Sequence, residues 1–276
     1  MFFKKNAADG PIGLIAGQGD FPLLFAEAAS SLKKDVVVFG IEGCTDKRIE
    51  NFAKKTHYLQ WGAYSRLVDL LKETKIKHVV LAGGVPKKEI YNPNRKLDKA
   101  TQDFFKGTQN KGDDHLLRAF LAYLKAKCGV SVMDSKAFLK HTLASKGVMT
   151  DRKPSEQEWR DLKFGYPIAK GIGKLDIGQT VAVKDGTVLA VEAIEGTDAA
   201  IRRGGQLGHG GAVIIKVSKP TQDLRFDLPC MGFETIESLK AVSSRVLGVE
   251  AGKTIMLFKE KVIEKANEEG MTLVGL

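Results

Sequence analysis

The sequence predicts an α/β protein of two domains, with a parallel sheet in the first and an α+β arrangement in the second. Three observations favour this architecture. The chain has 276 residues, which is long for one compact core and sufficient for two. Its first half alternates short apolar runs with amphipathic segments, the pattern of βαβ units. Its second half carries an Asp-Gly hairpin signal between two strand-like runs. We place the boundary so that the domains cover residues 1–140 and 141–276.

The strands of the first domain are continuous apolar runs bounded by glycines, as expected of strands that are covered on both faces. They run from Ile12 to Ala16, from Val36 to Phe39 and from Val79 to Ala82. Apolar residues at helical spacing fill the gaps and recur from Leu116 to Leu124, before a last strand from Val130 to Met133. This alternation predicts a Rossmann-like domain.

The second domain follows a stretch from Lys146 to Gly173 that is rich in charged residues, Gly and Pro, which we interpret as a linker and a lid. Asp185-Gly186 separates two predicted strands of a hairpin. A glycine-rich segment from Gly204 to Gly211 is predicted to be a flexible connection. Further strands and helices are predicted at Ala212 to Val217, Glu234 to Arg245, Thr254 to Phe258 and Glu260 to Glu269.

The composition is that of an ordinary globular protein, with 43% hydrophobic and 28% charged residues. The three cysteines, Cys44, Cys128 and Cys230, are widely spaced, which favours reduced thiols over a disulfide framework. The start of the chain lacks the apolar stretch of a signal peptide, and no apolar run is long enough to span a membrane. We therefore expect a cytoplasmic protein.

The formal net charge is +10. Such a charge suits nucleic acid, an anionic membrane surface or phosphorylated metabolites, and it also serves solubility. The lysines are scattered in pairs, without a long basic block or an aromatic-studded strand. Nucleic acid is therefore not an expected partner.

A glycine loop, Gly17-Gln18-Gly19, follows the first strand and opens a helix. Backbone N–H groups at such a position bind phosphate. A dinucleotide fingerprint needs glycine where Pro22 stands and an acid where Gly40 stands, so NAD is disfavoured. The alternative is a tight turn without a ligand.

A second glycine pair, Gly83-Gly84, follows a later strand of the same sheet. Open α/β sheets bind ligands at the carboxyl ends of their strands, so the second loop strengthens the prediction of a phosphate site.

Lys111-Gly112-Asp113-Asp114 stands at the start of a predicted helix. Either aspartate can cap the helix, and capping alone explains the motif. The functional alternative is that Lys111 meets a phosphate while an aspartate holds a sugar hydroxyl or a metal-bound water.

The densest polar cluster lies in the second domain, where acids and bases alternate. Oxygen donors suit a hard cation such as Mg²⁺, and Arg and Lys side chains neutralise phosphates, a combination that favours pyrophosphate cleavage. A helix cap followed by surface ion pairs is the alternative. The cluster consists of Gln179, Glu192, Glu195, Thr197, Asp198, Arg202, Arg203 and Lys216.

Asp227 stands between the apolar Phe226 and Leu228, where partial burial can raise a carboxyl pKa toward that of a useful base. The five histidines show no HxH or HExxH spacing, so a zinc site is not expected. A nucleophile elbow and a P-loop are also missing from the sequence, which excludes serine hydrolases of that type and P-loop NTPases.

The chain resembles the LpxI family, whose members are UDP-2,3-diacylglucosamine pyrophosphatases of lipid A synthesis. The resemblance covers nearly the whole chain. It is carried by the motifs Gly13 to Gly19 with Pro22, Lys111 to Asp114, Leu175 to Gln179, Leu189 to Asp198, and Asp227 to Pro229.

The resemblance implies a Mg²⁺-dependent hydrolase that releases UMP and 2,3-diacylglucosamine 1-phosphate (lipid X). It implies that Asp227 is catalytically essential and either positions water, deprotonates it or binds the metal. Glu195 and Asp198 are further candidates for metal binding. The other motif residues are expected to contact the substrate.

The expected partner is the lipid substrate, and the positive charge is expected to favour peripheral contact with the anionic inner face of the inner membrane. The sequence leaves open whether two subunits pair as a homodimer. Two alternatives from other classes stay open: a nucleotide-sugar sensor without turnover, and a nicotinamide-dependent oxidoreductase, which Pro22 and Gly40 oppose.

Overall fold

The computed structural model describes residues 10–85, 96–108, 113–225 and 227–276, without the side chains of residues 113 and 114. The chain forms two compact units. The first comprises Met1–Leu139 together with Arg225–Asp227, and the second comprises Lys140–Leu224 and Leu228–Leu276. The short segment Arg225–Asp227 therefore belongs to the first unit, although it lies inside the predicted second domain.

The first unit contains a five-stranded sheet with helices between its strands. Its strand order is β3-β2-β1-β4-β5, and all neighbouring strands are parallel. The elements are β1 (Ile12–Ala16), α1 (Phe21–Ser31), β2 (Val36–Ile41), β3 (Lys55–Leu59), α2 (Tyr64–Glu73), β4 (His78–Ala82), α3 (Lys99–Gly107), α4 (Asp113–Cys128), β5 (Ser131–Val132) and α5 (Lys136–Leu139), with a 3-10 helix at Lys47–Phe52.

The strand order places a topological switch point between β1 and β4, because the chain leaves β1 toward β2 and later returns to its other side. Parallel α/β sheets bind ligands at such a point. Ala16, the last residue of β1, pairs with Ala82, the last residue of β4. The two glycine loops that follow these strands therefore start side by side.

The second unit contains a six-stranded mixed sheet and a two-stranded sheet of β10 and β12. The order of the larger sheet is β6-β13-β11-β9-β7-β8. The elements are β6 (Gly147–Val148), α6 (Glu156–Lys174), β7 (Thr180–Lys184), β8 (Thr187–Val191), α7 (Thr197–Leu207), β9 (Val213–Lys216), β10 (Cys230–Met231), α8 (Phe233–Lys240), β11 (Val246–Val249), β12 (Ile255–Met256), α9 (Lys259–Glu268) and β13 (Thr272–Gly275), with a 3-10 helix at Lys140–Thr142.

The two faces of this sheet carry separate cores. Val181, Val183 and Ile215 pack with Leu162 of α6 on one face. The other face packs against α7, α8 and α9, through residues such as Ala182 and Ile214. Side chains alternate along a strand, so each residue at the end of β7 or β9 can be assigned to one face.

The prediction of a parallel sheet followed by a mixed α/β region is confirmed. The hairpin at Asp185-Gly186 is also confirmed, and both residues have positive φ, 49° and 71°, as a tight turn of the primed type requires. Among the described helices, none is both long and apolar enough to cross a bilayer.

The prediction of a linker and lid between Lys146 and Gly173 is wrong. Most of this stretch belongs to α6, which starts with a capping box made by Ser155 and Glu158. One of its three glycines, Gly165, lies where the helix approaches the sheet: a Cβ there would lie 2.9 Å from the Val183 side chain. Glycine content that suggested a loop instead permits close packing.

Close packing at glycine also explains why the predicted glycine-rich connection from Gly204 to Gly211 is wrong. Gly204 and Gly205 are buried in the last turns of α7, where Gly204 packs on Ala182 and Gly205 on Val242. Only residues 208–212 connect α7 to β9. The predicted strand at Thr254 to Phe258 shortens to β12.

Candidate active site

The two predicted glycine loops of the first unit bond to each other. The Gly17 amide donates to the Ala82 carbonyl at 2.8 Å. Gln18 and Gly84 exchange backbone hydrogen bonds of 2.8 Å and 3.2 Å. The structure thus brings Gly17, Gln18, Gly83 and Gly84 together at the switch point of the sheet.

Glycine is required where these loops cross. A Cβ on Gly17 would collide with the Gly84 carbonyl oxygen. Gly83 has a φ of +82°, and a Cβ there would lie 2.6 Å from the Gln18 carbonyl oxygen. Gly19 has a φ of +88° and leads into α1. The close approach leaves a surface lined by backbone rather than side chains.

Helix α1 starts directly after this surface. Asp20 occupies its N-cap, its side chain makes no capping hydrogen bond to the described residues of the helix, and Pro22 stands in the first turn. The N–H groups of a first turn have no partner within the helix, and the helix dipole is positive there. The arrangement fits an anion such as a phosphate group.

The third predicted motif of the first unit falls largely outside the described residues. Lys111 and Gly112 lie there, while Asp113 and Asp114 open α4 without described side chains. Their assignment to the substrate stays a prediction.

In the second unit, three segments that are distant in sequence meet around Glu192, which follows β8. This carboxylate is only 8% exposed. Its Oε2 accepts a hydrogen bond from the Gln179 amide at 3.2 Å, and its Oε1 accepts one from the Thr197 hydroxyl at 3.0 Å. Glu192 thereby joins the entry to β7, the end of β8 and the start of α7.

Lys216 lies at the same edge of the sheet. It ends β9 and pairs in register with Thr180, the first residue of β7. The two residues follow the alternation of Ile214 and Ala182, which places them on the face that packs against α7. Lys216 is 7% exposed, and its Nζ donates to the Cys230 carbonyl at 2.6 Å.

Three buried oxygen atoms in these segments lack a hydrogen-bond partner within the described part of the chain: Gln179 Oε1, Thr180 Oγ1 and Asp198 Oδ1. Buried polar atoms are nearly always partnered in folded proteins, and exceptions concentrate where water, an ion or a ligand binds. Thr180, which sequence analysis did not single out, is 1% exposed. The atoms are therefore candidates for contact with water, an ion or a polar ligand.

Glu195 and Arg203, two further residues of the predicted cluster, form an ion pair with each other. Arg203 donates to Glu195 Oε1 at 2.7 Å and to the Val191 carbonyl at 2.8 Å. Burial raises the pKa of Glu195, but its backbone hydrogen bonds and the Arg203 guanidinium outweigh that effect and lower the pKa. Arg202 turns elsewhere and donates to the Ser238 hydroxyl of α8 at 3.2 Å.

The predicted metal ligands fit a Mg²⁺ ion only in part. Asp198 Oδ1 has no hydrogen-bond partner in the part of the chain that the structure describes, but Glu195 is already neutralised by Arg203. Asp227 is half-buried and belongs to the first unit. Across the described residues, three or more His, Cys, Asp or Glu side chains nowhere form a group that could hold a metal.

Asp227 is preceded by Arg225, which bonds to another segment of the first unit. The Ser135 amide donates to the Arg225 carbonyl at 3.1 Å. On its other side, Leu228 and Pro229 are buried, and the Pro229 carbonyl accepts from the Ile255 amide at 2.8 Å. Backbone contacts thus hold the chain on both sides of Asp227.

A buried charge network at Glu250 escaped sequence analysis. Glu250 follows β11 and is 5% exposed, and it accepts hydrogen bonds from Lys170, Lys253 and both the amide and the hydroxyl of Ser218. The sequence does contain a signal for this residue, because Glu250, like Glu192, is an acid that directly follows an apolar strand.

The fold and these sites define a class of α/β proteins in which polar groups cluster at the carboxyl ends of strands, where such proteins bind their ligands. The family follows from comparison with known proteins. The LpxI N-terminal domain matches residues 11–142, and the LpxI C-terminal domain matches residues 145–274. The chain belongs to the LpxI family.

One similar relative is UDP-2,3-diacylglucosamine pyrophosphatase LpxI of Caulobacter vibrioides. It is 29% identical over 277 aligned residues, which cover 96% of this chain and 97% of the relative. The family resemblance seen in the sequence is thereby confirmed.

Solved structures give only distant similarities. A UDP-glucose-4-epimerase from Stenotrophomonas maltophila, with bound NAD and formylated UDP-arabinopyranose, has a TM-score of 0.30 and 12% identity, with 94% of this chain and 92% of that chain covered. Leucoanthocyanidin reductase from Vitis vinifera, in complex with NADPH, also has a TM-score of 0.30, with 16% identity, 54% of this chain and 41% of that chain covered. Scores this low support no argument about function.

Proposed function

We propose that this chain hydrolyses the pyrophosphate bond of UDP-2,3-diacylglucosamine and releases UMP and 2,3-diacylglucosamine 1-phosphate in lipid A biosynthesis. The observation that carries the proposal is the match to both LpxI domains, residues 11–142 and 145–274, which together span nearly the whole chain. The name of the Caulobacter vibrioides relative supports the substrate. On this basis the protein is a diphosphatase.

The reaction adds the oxygen of water to one phosphorus atom and breaks the P–O bond to the bridging oxygen, which leaves with the other phosphate. Negative charge accumulates during this step, so fixed N–H groups and cations accelerate it. The start of α1 supplies N–H groups, whereas the amides of Gly17, Gln18 and Gly84 already donate to backbone carbonyls. Lys216 supplies a buried cation in the second unit. Arg203 would first have to release Glu195, and Arg202 would have to leave Ser238.

Asp227 is the proposed catalytic residue, and its carboxylate would orient the attacking water or accept its proton. General-base catalysis contributes about 100- to 10,000-fold to a rate. Asp227 is half-buried, which supports such a role because a base that is held in place reacts without a further loss of conformational entropy.

Mg²⁺ is the cofactor that the resemblance implies, and its participation stays a prediction. When bound, it would neutralise phosphate charge. Asp198 offers an acceptor that has no partner among residues the structure describes, whereas Glu195 would first have to release Arg203. The attack of water on phosphorus and the departure of the bridging oxygen, as proposed, are assigned to residues of the chain and not to the metal.

The test is mass-spectrometric product analysis of purified protein incubated with UDP-2,3-diacylglucosamine and Mg²⁺. Wild-type protein should release UMP and the sugar 1-phosphate. Asp227→Asn should lower kcat by about 100-fold or more. Asp223→Asn, four residues earlier on the same connection, serves as the matched control and should retain activity. Chelation by EDTA tests the metal separately.

Each outcome has a meaning. An inactive wild type that still binds the substrate would favour a nucleotide-sugar sensor over an enzyme. An active Asp227→Asn variant would remove Asp227 from the chemistry while leaving the reaction assigned. Full activity in EDTA would exclude Mg²⁺.

A further inference from the structure

The loops and helix ends that lead into the strands of the first unit are rich in lysine. The strands begin at one common edge, because Ile12 pairs with both Val36 and His78, and His78 pairs with Ser131. The lysines at this edge, which we call the lysine face, are Lys33, Lys34, Lys54, Lys55, Lys72, Lys75, Lys77, Lys125 and Lys127. Along the sequence they are scattered in pairs, and the strand order gathers them.

Backbone hydrogen bonds tie these segments to their neighbours across the sheet. The Lys54 amide donates to the Val36 carbonyl at 2.8 Å, and the Ser131 amide donates to the Lys77 carbonyl at 2.9 Å. Five strands in the order β3-β2-β1-β4-β5 make this edge about 19 Å wide, at a spacing of about 4.8 Å per strand. The lysine face is therefore one continuous surface and not a set of separate charges.

The lysine face carries positive charge that nearby acids do not balance. Eight of its side chains are exposed, and Lys34 is half-buried. The segments that bear it contain two acids. Asp35 pairs with Lys54 at 2.6 Å, while Glu73 pairs with Arg66 of α2 at 3.0 Å. Within the described part of the chain, Lys54 is the one member of the face that has an ion-pair partner.

The opposite edge of the same sheet has mixed charges. The loop that leaves β1 holds Asp20, and the connection that leaves β2 holds Glu42, Asp46, Lys47, Arg48 and Glu50. Arg48 contacts Asp46 at 2.6 Å and Asp20 at 3.5 Å. Charges kept only for solubility need no such separation, whereas a surface of one sign attracts a partner of the other sign in a fixed orientation.

The composition of the lysine face favours an anionic bilayer as that partner. Its segments contain neither arginine nor an aromatic side chain, the residues that recognise individual phosphates in a bidentate manner and stack on nucleic acid bases. Lysine acts as a point charge, which suits a surface whose phosphates have no fixed positions. Leu32, next to Lys33, is 55% exposed and adds an apolar group that can enter the headgroup region.

We infer that the lysine face docks the first unit on an anionic lipid bilayer. Each lysine close to such a surface contributes attraction, which decays within about one Debye length. The glycine loops lie at the other end of the same strands, so docking leaves the candidate phosphate site uncovered. The inference concerns where the protein binds and does not rest on the proposed function.

The test compares two variants that lose the same charge. The lysine-face variant combines Lys34→Gln, Lys55→Gln, Lys77→Gln and Lys127→Gln, one from each segment. The control combines Lys146→Gln, Lys153→Gln, Lys163→Gln and Lys261→Gln, which are exposed lysines of the second unit.

Binding is measured by sedimentation with vesicles of phosphatidylcholine and phosphatidylglycerol at about 0.1 M salt, where the Debye length is about 10 Å. The lysine-face variant should bind about tenfold or more weakly than wild type, and the control should stay within about threefold of wild type. Four Lys→Arg changes at the positions of the lysine-face variant keep the charge and should preserve binding.

Equal losses in the lysine-face variant and the control would overturn the inference, because net charge and not one face would then explain binding. A loss in the arginine variant would overturn the electrostatic assignment. Wild type that binds duplex DNA or polyglutamate through these lysines, but not the vesicles, would overturn it in favour of another polyanion. The vesicles contain no substrate and the measurement needs no turnover, so a failure of the proposed function would not change these outcomes.

Discussion

Glu250 shows how a charged residue is kept inside this fold. Burial raises the pKa of its carboxyl group, but hydrogen bonds from Lys253, Ser218 and Lys170 outweigh burial and lower the pKa from 4.5 to about 2. The carboxylate bridges α6, the segment after β9 and the end of β11. A buried charge with this many partners stabilises the fold only while all of them remain.

Glu250→Gln should therefore lower the free energy of unfolding by about 2 kcal/mol or more at neutral pH, because the lysines lose their counter-charge. The depressed pKa contributes stability that is present above pH 4.5 and is lost as the pH falls toward 2. The difference between wild type and variant should shrink over that range. Urea unfolding at neutral and acidic pH measures it, and a constant difference would contradict the assigned pKa.

Gly178→Ala should destabilise the second unit, because its methyl group would collide with the Glu192 carbonyl oxygen, which belongs to the backbone and cannot rotate away. We expect a loss of about 1–3 kcal/mol. Gly171→Ala is the matched control in the nearby helix, where a Cβ meets no atom within 4 Å. It should stabilise by up to about 1 kcal/mol. Equal effects of the two changes in urea unfolding would refute the steric argument.

At the scale of elements, α6 shows why composition was misleading. Its sequence contains Pro167 and three glycines, all of which disfavour a helix interior, yet the helix runs for 19 residues. Packing against the sheet compensates, since Leu162 and Ala169 are fully buried and Gly165 lets the helix approach Ile215. Tertiary burial routinely overrides such local preferences.

The capping box of α6 is a local signal that sequence analysis overlooked. The Glu158 amide donates to Ser155 Oγ, and Glu158 Oε2 accepts from the Ser155 amide. Ser155→Ala should lower the free energy of unfolding by about 1 kcal/mol. Ser31→Ala, at the exposed last residue of α1, is the control and should change it little. Thermal unfolding of both variants tests the cap.

The burial of each strand explains whether the sequence predicted it. Strands β1, β2 and β4 are buried on both faces, so apolar content alone reveals them. Strand β3 carries Lys55, Thr56 and His57 at the edge of the sheet and gives no such signal. Strand β11 has only four residues, and its one glycine, Gly248, faces Leu162 and Leu276. Short or edge strands depend on partners that the linear sequence does not display.

At the scale of the whole molecule, the net charge of +10 is the property that bears on partners. The substrate of the proposed reaction is a lipid, and an anionic bilayer attracts a cationic protein within about one Debye length. Membrane contact of this kind would concentrate the protein where its substrate resides.

Sedimentation with lipid vesicles tests this effect. Wild-type protein should bind vesicles that contain anionic lipid at low salt and should lose most of that binding at high salt. It should not bind neutral vesicles. Salt-resistant binding to neutral vesicles would instead point to an apolar contact and would contradict the electrostatic prediction.

The sequence by itself determined the family, the parallel sheet of the first unit and the motifs that carry the sites, because these depend on apolar runs, turn residues and short local patterns. Only the tertiary structure decided what those motifs touch. It packed Gly17 against Gly84, occupied Glu195 with Arg203, and left Thr180 Oγ1 buried without a partner among the described residues. Such contacts join residues that strand order and register bring together, and neither can be read from spacing along the chain.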